Sequence, residues 1–184
     1  MDRGHLLWEK VCAFAEKCSW GAGPVLTRKM RENAFESNER VLAAVCGEEI
    51  AGFAAFSNRD ELSPEYPFLP FVGFVFVDEK FRGRRLLEKP VNRGCEIAHG
   101  QGFTKIYLLS GEKGLYEKYD FECLGDYSTV YGTMDQLFVT PLTGIKRTDE
   151  VFAFVRSACQ KRFCQAGGRG SKLPRQVPRL KSSV

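Results

Sequence analysis

The run Phe71-Val-Gly-Phe-Val-Phe-Val77 constrains this chain more than any other stretch. Its phenylalanines and valines, with no charged residue among them, fit a strand buried on both faces rather than one with a wet side. The next segment is equally restrictive. Asp78 to Gly83 breaks the apolar pattern, and an amphipathic helix is expected from about Arg84 to His99, ended by Gly100 and Gly102. Lys105–Leu109 (KIYLL) then reads as a second strand. A strand–helix–strand unit implies parallel pairing with a right-handed crossover.

The flanking sequence supplies the other elements. Leu6, Leu7, Val11, Phe14, Ala15 and Cys18 recur at spacings of three and four, giving one apolar helix face that stops at the Gly21–Pro24 break. A shorter helix is expected from Pro24 to Asn33, with the proline in the first turn. Val41–Cys46 and Ile50–Ser57, joined by Gly47-Glu48-Glu49, read as an antiparallel hairpin. Asn58–Pro70 holds three prolines and three acids and is expected to be a loop. After Leu109 come a short helix at Leu115–Tyr119 and two strands, near Phe121–Tyr131 and Gln136–Thr140.

With 184 residues, 43% of them hydrophobic and 27% charged, the chain has the balance of a globular protein. No stretch reaches the ~18 uninterrupted apolar residues of a membrane span, and the opening MDRGHLLWEK lacks the pattern of a signal peptide. The seven cysteines include no Cys-x-x-Cys pair, so reduced thiols in a cytoplasmic protein are expected and no metal site is. The net charge of +4 divides unevenly. Residues 1–142 carry 17 basic and 21 acidic side chains, whereas 143–184 carry 10 basic and 2 acidic. A mildly acidic domain, 1–142, therefore precedes a basic extension, and the total charge is no argument for nucleic-acid binding. In the extension a helix is expected over 149–164, followed by a disordered tail rich in Gly, Arg, Lys, Pro and Ser.

The chemistry lies where the apolar strand gives way to the helix. In Val77-Asp-Glu-Lys-Phe-Arg82-Gly83-Arg84-Arg85-Leu86-Leu87 a basic, glycine-containing turn opens a helix. Backbone N–H groups and the helix dipole at such a start favour an anion such as a pyrophosphate. Neither a complete G-x-G-x-x-G nor a G-x-x-x-x-G-K-[ST] is present, so the Rossmann and P-loop readings fail. Some thirty residues on, Leu115-Tyr116-Glu117-Lys118-Tyr119-Asp120-Phe121 comes after the second strand.

Together the two segments resemble the GCN5-related N-acetyltransferase (GNAT) family, whose members carry an Arg/Gln-x-x-Gly-x-Gly/Ala turn and a later Leu-Tyr-x-x-x-Gly-Phe. The resemblance runs from about Arg40 to Tyr127. Arg82 and Gly83 match, whereas Arg85 stands for the first family glycine, Leu87 for the Gly/Ala, and Asp120 for the glycine before Phe121. Pro90, read as lying a turn and a half inside the helix, should kink it.

The resemblance implies an α/β (α+β) fold: a mixed, mostly antiparallel central sheet with a splayed parallel strand pair, flanked by helices. It further implies acetyl-CoA as cosubstrate, held by the backbone of Val75 and Val77 and by Arg82, Gly83, Arg84, Arg85, Leu86 and Leu87. The implied reaction is acetyl transfer to a primary amine of a small molecule or peptide, by direct attack in a ternary complex, with Tyr116 as general acid. Glu61 or Glu65, in the acidic loop with Asp60, is the candidate base, and those acids point to a small cationic acceptor. The alternative is a catalytically weak or inactive acyl-CoA-binding module of the same fold. Neither a membrane nor a nucleic-acid partner is expected; a dimer is compatible with this reading, and oligomeric state is not encoded in any motif.

Overall fold

In the computed structural model, residues 1–143 are described. The helix and tail expected over 149–184 lie outside them. Helices α1 (Trp8–Lys17) and α2 (Gly23–Arg31) come first, then strands β1 (Arg40–Cys46), β2 (Glu49–Ser57) and β3 (Phe71–Val77). Next are helix α3 (Glu88–Gly100), β4 (Lys105–Ser110), β5 (Glu122–Ser128) and β6 (Met134–Pro141), with single 3-10 turns at Glu79–Phe81 and Tyr116–Tyr119. The six strands form one sheet in the order β1-β2-β3-β4-β6-β5. Only β3 and β4 are parallel; every other neighbouring pair is antiparallel.

Helix α3 covers one face of the sheet. Val91, Cys95 and Ala98 pack with Leu42, Phe56, Val72, Ile106, Leu108 and Phe138 into one buried cluster that draws on both sides of the β3–β4 junction. On the other face α1 and α2 bury Trp8, Val11, Ala15, Leu26 and Met30 against Val41, Phe53 and Phe76. The two helices meet tightly at Gly23, where a Cβ would overlap the Ala15 carbonyl and the Cys18 sulfur. The remainder of that face is roofed by the 58–70 loop, with Leu62, Tyr66 and Phe68 packed over Phe71, Tyr107 and Leu137. The loop is tied down by its backbone, Ser63 N–H donating to Ser128 and Val130 N–H donating to Glu61.

Two sequence expectations change here. Helix α3 starts at Glu88, four residues later than expected from periodicity, because the turn before it contains two left-handed residues, Gly83 at φ 73° and Arg85 at φ 52°. Pro90 therefore sits in the first turn, where an N–H has no intrahelical acceptor to lose, and the kink expected of an interior proline has no cause. Among the described cysteines, Cys12, Cys18, Cys95 and Cys123 are free thiols.

Candidate active site

The parallel pair β3 and β4 touches only at its start. Phe71 opposite Tyr107 is its single ladder position, joined by the Tyr107 N–H donating to the Pro70 carbonyl. Beyond that point the strands part. On its other side β3 is bulged: Ala55 pairs with Gly73 and Phe53 with Phe76, so Phe74 and Val75 together oppose Ala54. Phe74 takes up the extra residue at φ 49°, a conformation that is costly for a bulky side chain and usually marks a functional site. Val75 is paired in neither ladder. The carbonyl of Val77 accepts from Arg82 Nε at 3.2 Å.

The parting strands open onto a cavity of about 930 Å³. Val75, Val77, Arg82, Gly83, Arg85, Leu86 and Leu87, all expected as cofactor residues, line it. Arg84 does not; its guanidinium lies over the Phe81 ring, 5.7 Å from the centroid. The cations at this end are engaged only at the surface. Arg82 meets Glu79 at 3.0 Å and Arg85 meets Glu88 at 3.2 Å, exposed pairs that an incoming anion can outcompete. Leu87 gives α3 no side-chain cap, so the start of the helix is left to another acceptor.

Tyr116 reaches the cavity from the 3-10 turn after β4. It is 4% exposed, with its ring 5.4 Å from that of Phe138. Burial pushes the phenol up to about 12, against a hydrogen bond with the Ser110 side chain, and Asp60 is near enough to add to the rise. Asp120 closes this turn at φ 62°, the left-handed conformation expected from the glycine usual in the motif.

Of the loop acids, Glu65 is exposed and absent from the cavity wall, whereas Glu61 and Asp60 line it. Asp60 stands out. Its carboxylate lies against Gly73, where any Cβ would collide with it, and accepts the Glu61 N–H at 2.8 Å. Desolvation lifts it from an ordinary 3.8 to about 6, with Glu61 and Asp135 adding to the rise and Lys29 opposing it. Sequence reasoning grouped Asp60 with its neighbours without singling it out. The available signal was Gly73, an isolated glycine in an apolar strand, which marks a close approach. Trp20 and Asp135, also in the wall, carry no sequence signal of that kind. No three His, Cys, Asp or Glu side chains among the described residues converge as a metal site, and no helix among them is long and apolar enough to cross a membrane.

The family model described as "Acetyltransferase (GNAT) family" matches residues 5–121. The chain belongs to this family. The GNAT fold recurs in solved structures at low identity. An aminoglycoside 6'-N-acetyltransferase from Enterococcus faecium superposes with a TM-score of 0.57 at 16% identity, covering 77% of this chain and 94% of the other. A GNAT family N-acetyltransferase (YhbS) from Escherichia coli, in complex with CoA, gives 0.51 at 22% identity, covering 75% and 77%. An aminoglycoside 6'-N-acetyltransferase complexed with coenzyme A gives 0.55 at 15% identity, covering 77% and 94%. No curated protein is a significant sequence match. Within the GNAT signature, the Arg85 departure has a geometric meaning: Arg85 holds the left-handed conformation for which glycine is the ordinary choice.

Proposed function

We propose that this protein transfers an acetyl group from acetyl-CoA to a primary amine, by direct attack within a ternary complex. The observation that carries the reading is the split between β3 and β4, with Val75 unpaired and Arg82, Gly83, Arg85, Leu86, Leu87, Tyr116 and Asp60 lining the cavity it opens. A pantetheine chain carries amides that can use an unpaired strand edge, and its pyrophosphate suits a basic turn at a helix start. These features, together with two related structures that hold CoA, support acetyl-CoA as the cosubstrate, which supplies the activated acetyl group.

Asp60 takes the base role in this reading, in place of Glu61 or Glu65. With a pKa of about 6 it is ionised at neutral pH and still basic enough to take a proton from an ammonium group whose own pKa, ~10.4 in water, falls on desolvation. The freed amine attacks the thioester carbonyl; the C–N bond forms and the C–S bond breaks. Tyr116 stays protonated over the whole physiological range and donates to the departing sulfur. Because a thiol ordinarily titrates near ~8.5, the phenol acts chiefly as a hydrogen-bond donor in the transition state, and solvent completes the protonation.

Calorimetric titration with acetyl-CoA, using desulfo-CoA and ADP as controls, tests the cofactor half. Saturable micromolar binding is expected, and its absence in a folded sample would sink the proposal. Tyr116→Phe is expected to lower kcat by roughly 10²-fold or more with little change in acetyl-CoA affinity. Binding without turnover of any amine would instead favour the non-catalytic module.

A further inference from the structure

Tyr116 meets the cavity with a partner. Ser110, the last residue of β4, lines the same wall and is hydrogen-bonded with the phenol. The rings of Phe121 and Phe138 hold the tyrosine at 6.3 and 5.4 Å between centroids and offer its oxygen no hydrogen bond. A serine hydroxyl has one proton to give and lone pairs to accept with, so its bonds can be assigned by elimination. The Glu112 N–H donates to Ser110 Oγ at 3.1 Å, which fills an acceptor position and anchors the hydroxyl at the strand end. Two oxygens then compete for its proton. One is Oε1 of Gln136, opposite Ser110 in the β4–β6 ladder and so on the same face of the sheet. That oxygen is buried without a hydrogen-bond partner among the described residues, so the serine proton is not held there. The other is the phenol oxygen.

The direction of this bond decides what the tyrosine can do. A phenol that donated to Ser110 would have no proton left for a departing thiolate. With its oxygen accepting from Ser110, its own proton is free to face the cavity. The sign of the Tyr116 shift agrees: the Ser110 contact works against the burial that raises the phenol, as a donor to the phenolate must. As the proton passes from the phenol oxygen to the sulfur, the charge growing on that oxygen meets a hydroxyl already aimed at it. Hydrogen bonds to a charged oxygen are stronger than those to a neutral one, so the contact gains strength in the transition state and contributes to kcat rather than to substrate binding.

We propose that Ser110 is a positioning residue for acetyl transfer, its hydroxyl anchored by the Glu112 N–H and donating to Tyr116, so that the phenol proton is presented to the leaving sulfur. The inference rests on the acid role given to Tyr116 above, and two readouts separate them. Ser110→Ala, Ser110→Thr, Tyr116→Phe and the double variant Ser110→Ala/Tyr116→Phe are assayed in the full chain with acetyl-CoA and a panel of primary amines by thiol release, and acetyl-CoA affinity is measured calorimetrically. In parallel, the tyrosine ring carbon that bears the hydroxyl is isotope-labelled for NMR, and the Tyr116 signal is identified by its loss in Tyr116→Phe. Ser110→Ala is expected to lower kcat about tenfold with acetyl-CoA affinity retained. In the Tyr116→Phe background the same change is expected to lower kcat no further. The Tyr116 signal is expected to move in Ser110→Ala, and Ser110→Thr, which keeps the hydroxyl, to recover both signal and rate. An unmoved signal, or an equal fractional loss of kcat with and without the phenol, overturns the inference. A moved signal with undiminished kcat in Tyr116→Phe overturns the acid role instead, and leaves Ser110 as a structural partner of the ring.

Discussion

At neutral pH Asp60 is charged in surroundings that favour the neutral acid. Its folded pKa of about 6 lies above the ordinary 3.8, so the folded protein binds its proton more tightly than the unfolded chain. The stabilisation this represents is complete below about pH 3.8 and is lost as pH rises through about 6. Asp60→Asn, which keeps an acceptor for the Glu61 N–H, should therefore be more stable than the parent at pH 7 by on the order of 2 kcal/mol. Urea denaturation at pH 7 and pH 4 checks this; an advantage of equal size at both pH values would contradict it. The same substitution should lower kcat/KM by ~10²-fold or more, and in the parent kcat/KM should fall as pH drops through about 6. Gly73→Ala tests the positioning of that carboxylate. A Cβ there displaces it, so the acid limb should shift and activity should drop by roughly tenfold, with acetyl-CoA affinity little changed. Little of this was legible beforehand. Glycine in the apolar strand and acid in the preceding loop are both visible in the sequence, but their contact depends on how the 58–70 loop folds back over β3.

Among the elements, those built on hydrophobic periodicity were readable, including α1, the β1–β2 hairpin, β3, β4 and the Tyr116 turn. The start of α3 was not. Periodicity runs on through Arg84 and Leu87, and only backbone geometry separates the turn, with its left-handed Gly83 and Arg85, from the helix. Pro90 was the overlooked marker, since proline favours a first turn. Pro90→Ala should accordingly change stability by about 1 kcal/mol or less, its buried ring being the main loss, and should not give the ~3 kcal/mol gain of removing a mid-helix proline. A thermal melt distinguishes the two. At the α1–α2 crossing Gly23→Ala should destabilise by about 1–3 kcal/mol, because a methyl there meets backbone rather than a movable side chain.

The molecule as a whole is two three-stranded leaves, β1-β2-β3 and β4-β6-β5, joined in the sheet at one residue pair and spanned by α3. A ligand that fills the split should stabilise both leaves at once. Acetyl-CoA at a hundredfold its Kd is expected to add about 2.7 kcal/mol, read as a rise in Tm of roughly 5–10 °C; a shift confined to one leaf by hydrogen exchange would contradict this. The split also places two bare strand edges at the centre of the sheet. An exposed edge is a template for another chain, and the usual safeguards are bulges and charges. Here the Phe74–Val75 bulge breaks the register an intruding strand would need, and Arg82 occupies the Val77 carbonyl. Features that shape the site for its substrate are thus the same kind that disfavour strand addition by a second chain.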